Sequence, residues 1–150
     1  MKLTTKGRYG LKAMFDLALY SNGQPIKLNV IGERQSISVS YLEQLISPLR
    51  KAGFVKSIRG AQGGYTLAKP ANEISVGEIL VTLEGPLAPA DCVSGLEDEN
   101  GCTNSEYCVT RVIYEKIRDS INEVVNGITL QDMIDDHKQI NISDLKIHCE

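Results

Sequence analysis

The chain has 150 residues, 42% of them hydrophobic and 23% charged, enough for a real core and an ordinary balance for a globular protein. No apolar run approaches the roughly 18–20 residues that cross a bilayer, and Lys12 and Asp16 interrupt Leu11–Leu19 where a secretory signal needs an unbroken stretch. A cytoplasmic, reducing setting with no membrane partner follows, and there cysteines bind metal or do redox chemistry more often than they form structural disulfides. The net charge of −3 conceals an asymmetry. Residues 1–70 hold eleven Lys and Arg against three acids (Asp16, Glu33 and Glu43), whereas residues 71–150 hold five bases against sixteen acids. A basic half joined to an acidic one suits contact with a polyanion such as nucleic acid. Chance segregation, or neutralisation of one half by the other, is the competing explanation.

In chain order, Leu11, Met14, Phe15, Ala18 and Leu19 recur at helical spacing, with Thr5 as the expected cap and Asn22-Gly23 as the stop. A short second helix fits Leu28 to about Gln35, followed by a tight turn at Ser36-Ile37-Ser38. A third helix is expected from Ser40, because Ser40-Tyr41-Leu42-Glu43 has the form of a capping box. Its inward stripe is Leu42, Leu45, Ile46 and Leu49, Pro48 should kink it or loosen a turn, and Gly53 ends it. Phe54–Arg59 and Tyr65–Leu67 read as two short strands joined by the permissive run Gly60-Ala61-Gln62-Gly63-Gly64. Helix, helix, turn, helix and hairpin is the order of a winged helix-turn-helix. The expected fold class is therefore mainly α with a small β-hairpin, plus a long C-terminal dimerisation helix.

Ser75-Val76-Gly77-Glu78 is a second capping box, opening a helix that Gly85-Pro86 stops. Residues 86–104 show neither helical nor strand periodicity, and a loop of that length usually has a function or a ligand that orders it. From Ser105 a long helix carries Val109, Val112, Ile113, Ile117, Ile121, Val124 and Val125 on one face and ends at Gly127. So small a chain leaves that stripe few partners, which points to a dimer. Thr129 to about Lys138 reads as one more helix, and the last dozen residues as loosely docked. The expected divisions are a DNA-binding domain over 1–85, a cysteine loop over 86–108, a dimerisation helix over 105–127, and a C-terminal helix and tail over 128–150.

Cys92, Cys102 and Cys108 are spaced C-x9-C-x5-C, and the third is expected inside the first turn of the long helix. Thiolate is the metal-binding form, a helix N-terminus favours it, and soft thiolates select iron–sulfur clusters, zinc or Cu(I). Three buried small residues, or a disulfide plus a spare thiol, is the competing reading, but the neighbours Asp91, Ser94, Thr103, Asn104 and Glu106 are polar, unlike the apolar setting of buried structural cysteines. Spacing alone does not separate a cluster from zinc. Three thiolates leave one coordination position, for which His148, Cys149 and His137 are the candidates outside the loop.

The residues resemble the family of winged-helix regulators that includes IscR, CymR and NsrR. The resemblance rests on MKLTTKGRYGL (Met1–Leu11), SYLEQLISPLRKAGF (Ser40–Phe54), VKSIRGAQGGYTL (Val55–Leu67), ISVGEILVTLEGP (Ile74–Pro86) and the cysteine loop. It covers residues 1–127 and hardly touches the tail. It implies a homodimer on a palindromic double-stranded operator, with the third helix in the major groove, the wing in the minor groove and the long helices crossing to form the dimer. It also implies an iron–sulfur cluster, 2Fe-2S rather than 4Fe-4S, on Cys92, Cys102 and Cys108. That cluster would set DNA affinity or site choice at genes for cluster assembly. Two departures matter. IscR-like members have a histidine where this chain has Arg111, and NsrR-like members use an acid near the position of Arg8. The fourth ligand would then be His148, Cys149, a loop acid or an exogenous group. CymR-like members lack the three cysteines. They imply the alternative: a regulator of cysteine and sulfur metabolism working through a metabolic-enzyme partner or thiol redox.

For DNA contact, Glu43 can accept from a cytosine amino group, or serve only its capping box with Ser40. Gln44 can pair with adenine or a phosphate, or simply be solvated. Ser38, Ser40 and Tyr41 lie where helix N–H groups meet phosphate. Arg59 beside Gly60 suits a narrow minor groove. Lys6, Tyr9, Arg50 and Lys51 are expected at the phosphate backbone, with plain solvation as the alternative for Arg50 and Lys51. No catalytic triad, phosphate loop or pair of catalytic carboxylates stands out, so an enzyme is the least expected class. A zinc-stapled DNA-binding module without sensing remains a further alternative.

Overall fold

The computed structural model describes residues 1–96 and 105–147. In it, α1 (Thr5–Tyr20), α2 (Leu28–Gln35) and α3 (Val39–Lys51) precede the antiparallel pair β1 (Val55–Ile58) and β2 (Gly64–Leu67), and then come α4 (Val76–Glu84), α5 (Val109–Asn126) and α6 (Leu130–Ile147). This is the expected mainly helical fold with a wing. The main core brings Ala13, Met14 and Leu17 of α1 against Leu42, Leu45, Ile46 and Leu49 of α3, Ile79 and Leu83 of α4, and Leu130 of α6. Each large side chain withdrawn from water contributes roughly 1.5–3 kcal/mol before chain ordering is set against it.

Local chemistry fixes the ends of these elements, in several places differently from the sequence expectation. α1 takes Thr4, not Thr5, as its flanking residue, and neither side chain caps it. Its free N–H groups are met from the far end of α4 instead. Glu84 Oε1 accepts from the Thr4 N–H at 2.8 Å, the Thr4 hydroxyl at 2.7 Å and the Gly7 N–H at 2.9 Å, a carboxylate where the helix dipole favours negative charge. α3 begins at Val39, because Ser36 in the left-handed region ends α2 and the buried Ile37 closes the turn. Ser38, not Ser40, is therefore the cap, accepting from the Tyr41 N–H at 3.3 Å. The helix runs through Pro48 to Lys51 without an interruption. The fully buried Asp16 of α1 takes a bidentate grip from Arg34 and a third bond at 3.0 Å from Gln35 Nε2, tying α2 to α1. Such a fully partnered carboxylate defines one packing angle rather than adding much net stability.

In the wing, Val55 faces Leu67 and Ile58 faces Gly64. A segment without strand periodicity joins it: Ile26 exchanges two backbone hydrogen bonds of 2.8 Å with Tyr65. Gly64 permits that approach, since a Cβ there would meet the Ile26 backbone at 2.6 Å. The Ser75–Glu78 capping box opens α4, and Gly85 with φ +82° ends it, both as expected. α6 is fastened to α4 through the Val76 N–H on the Ile128 carbonyl and the Leu130 N–H on the Ile74 carbonyl. Thr129 and Asp132 cap it reciprocally. It extends to Ile147 rather than ending near Lys138, so most of the tail expected to be loose is helical.

Candidate nucleic-acid interface and cysteine loop

The start of α3 presents a polar face. Ser38, Ser40, Glu43, Gln44, Arg50 and Lys51 are exposed, while Leu42, Leu45, Ile46 and Leu49 turn inward. Because Ser38 supplies the cap, Glu43 is released from the capping-box role, and its carboxylate accepts no hydrogen bond among the described residues. Tyr41 is half-buried against Tyr9, edge to face at 6.1 Å, and Lys12 lies 5.6 Å over the Tyr9 ring. That contact sets the first half of α1, with the exposed Lys6, beside the opening turn of α3. At the wing tip Arg59 and Gly60 are exposed, and Gly60 has φ +111°, a conformation that suits glycine. Val39 was missed by the sequence reading, because a box at Ser40 puts it in the preceding turn. It lies instead on this face with 40% of its surface exposed.

The first half of the cysteine loop is pinned to α5. Leu87 and Val93 are buried, Asn122 Nδ2 donates to the Leu87 carbonyl at 3.1 Å, and Arg118 Nη1 donates to the Val93 carbonyl at 3.1 Å. Between those anchors Cys92 stands exposed on the single turn Asp91–Val93. Cys108 is not inside the first turn of α5 but is its N-cap residue, half-buried, with Sγ 3.0 Å from the Thr110 hydroxyl. The Thr110 side chain, then the Arg111 backbone N–H, hold its thiol below the usual range, and the Arg111 charge adds to them. Arg111 itself pairs with Glu115 one turn on, at 3.2 Å. Cys102, His148 and Cys149 lie outside the described residues. His137 packs edge-on against Phe15 at 5.5 Å, with Nε2 3.0 Å from Asn141 Nδ2. Among the described residues no three His, Cys, Asp or Glu side chains gather into a metal-sized group.

None of the residues of α5 is buried. Ile121 and Val125 lean on Val76, Leu80 and Leu87 of their own chain. Val109, Val112, Ile113, Ile117 and Val124 face outward, with Val109 78% and Val124 61% exposed.

A family model described as "Rrf2: Iron-dependent Transcriptional regulator" matches residues 3–136. The chain belongs to the Rrf2 family. Rrf2 proteins with similar sequences include the HTH-type transcriptional regulator IscR of Pectobacterium carotovorum subsp. carotovorum (strain PC1), 41% identical over 144 residues, which are 96% of this chain and 85% of that protein. IscR of Vibrio vulnificus (strain YJ016) is 42% identical over the same share of this chain and 83% of its own length. Among solved structures, T. potens IscR is 46% identical with a TM-score of 0.76, covering 93% of this chain and 90% of that one. CymR (YrzC), the global cysteine regulator of B. subtilis, is 41% identical with a TM-score of 0.73, covering 90% and 97%. As an Rrf2 protein the chain is a DNA-binding transcription regulator and not an enzyme. No helix among the described residues is long and apolar enough to cross a membrane.

Proposed function

We propose that this Rrf2 protein is a cytoplasmic homodimer whose binding to a palindromic operator is controlled by an iron–sulfur cluster, 2Fe-2S in type, at genes for cluster assembly. The observation that carries the reading is Cys108. Its thiol sits at the N-cap of α5, is drawn toward thiolate, and starts the helix whose outer apolar face is exposed among the described residues. Ligand chemistry and dimer geometry thus share one element. Two of the three donors support the reading: Cys92 is exposed, the Cys108 thiol is held toward thiolate, and soft thiolates favour iron and sulfide. Cys92, Cys102 and Cys108 would hold it, and when bound it supplies a redox- and iron-sensitive charge beside α5. Arg111 cannot serve as fourth ligand, which leaves His148, Cys149, a loop acid or an exogenous group.

In this reading residues 1–85 form the DNA-binding domain and α5 the dimer seam. Glu43 and Gln44 read base edges, and Ser38, Ser40 and Tyr41 set the helix end on the backbone. Arg59 with Gly60 enters the minor groove, while Lys6, Tyr9, Arg50 and Lys51 meet phosphates. Selection from a random duplex library should return a two-fold symmetric site. Arg59→Ala should weaken binding to that site by roughly 1–3 kcal/mol, measured by fluorescence anisotropy at moderate salt. Unchanged affinity contradicts the wing assignment. The likeness to CymR favours a second reading, a regulator of sulfur metabolism acting with a metabolic-enzyme partner. It predicts a colourless, iron-free protein.

A further inference from the structure

We infer that Val39 is a base-reading residue, its methyl groups closing on the C5-methyl of a thymine in the major groove. The inference rests on the reading of α3 as the recognition helix and adds to it a base that the polar residues of α3 do not specify. The apolar side chains of α3 otherwise turn inward: Leu42, Leu45, Ile46 and Leu49 are buried, and Tyr41 is half-buried on Tyr9. Val39 alone of them is exposed, at 40%, on a surface otherwise made of Ser40, Glu43, Gln44, Arg50 and Lys51.

A single exposed valine is unremarkable on most surfaces, and its place here decides the matter. Val39 is the first residue of the helix, directly after the Ser38 cap. The N-terminal residues of a recognition helix are the ones that reach base edges. A β-branched residue is also a weaker helix former than the straight-chain or alanine alternatives, so nothing in the helix itself favours valine there. Of the groups that a major groove displays, the thymine methyl is the one that an apolar side chain reads, while serine, glutamate and glutamine read donors and acceptors.

Val39 also stands one turn before Glu43, on the same side of α3. A carboxylate is repelled by phosphates and accepts from a cytosine amino group. Four residues at 1.5 Å rise span about 6 Å, or about two base steps of 3.4 Å. The thymine read by Val39 should therefore lie within about two base pairs of the cytosine read by Glu43.

The test uses the full chain and the duplex it selects from a random library, compared with the same duplex carrying deoxyuridine for each half-site thymine in turn. The wild type should lose about fourfold in affinity per half-site at one thymine, the worth of one methyl group returned to water. Val39→Ala should bind the thymine and uracil duplexes alike. Val39→Thr, which keeps one methyl and nearly the same shape, should retain part of the discrimination and guards against a folding defect in the alanine variant. Indifference of the wild type to uracil at every thymine, or full discrimination by Val39→Ala, overturns the inference. A wild-type chain that enriches no sequence overturns the recognition-helix reading, and this inference with it.

Discussion

Cys108→Ala is expected to abolish the visible absorbance and the acid-labile sulfide of an anaerobically purified sample, while the chain remains a folded dimer. Cys108 is half-buried and belongs to no core cluster. Alanine therefore leaves no cavity, and the iron-free protein should keep its fold. The variant loses a soft anionic donor. Thiolate is the ligand form, and the Thr110 hydroxyl, the Arg111 N–H and the Arg111 charge all favour it here. With the fourth position already lacking the histidine of IscR-like members, loss of one thiolate leaves too few donors to retain iron. Absorbance and iron analysis on the purified variant check this. A retained chromophore would mean that Cys108 is not a ligand.

In the proposed dimer, Ile117→Glu should leave a monomer and lower operator affinity about 10²- to 10⁴-fold, because the second half-site then loses its effective concentration. Ile117 lies on the outer face of α5, where Ile113 is 49% and Ile117 40% exposed. A carboxylate costs little there in a monomer and much in a closed apolar seam. The helix itself should stay in place, since Ile121, Val125, Arg118 and Asn122 hold it to α4 and the loop. Light scattering reads the mass and circular dichroism the fold. A dimer of unchanged mass removes α5 from the interface.

Most of the fold was legible because its signals are local. The Ser75–Glu78 box, the inward stripe of α3 and the glycine-rich wing tip each lie within a few residues of what they determine. The misjudged points are those where a distant group decides. The cap at Ser38 rather than Ser40 depends on Ser36 turning left-handed and on Ile37 entering the core. Both serines fit the local pattern, and only burial distinguishes them. That shift matters for function, since it frees Glu43 and exposes Val39. Glu84 meets the start of α1 from 80 residues away, and no spacing announces it. α6 outruns its apolar stripe of Leu130, Met133 and Ile134, continuing past Lys138 into a stretch whose Ile140, Ile142, Leu145 and Ile147 do not keep the helical spacing. At the cysteine loop, sequence supplied three thiols and the missing histidine at position 111. Structure adds the anchoring of Cys92 and the polarised thiol of Cys108, while Cys102 lies outside the described residues.

The most direct test of cluster control is DNA affinity measured on one anaerobic preparation, first as purified and then after chelation of its iron, with iron and sulfide assayed in both. The account predicts comparable iron and sulfide in the first sample. It also predicts an operator affinity that changes about 5- to 150-fold when they are removed, the usual range for coupling between two sites. Iron-free protein from the anaerobic preparation, or identical binding before and after chelation, would contradict it.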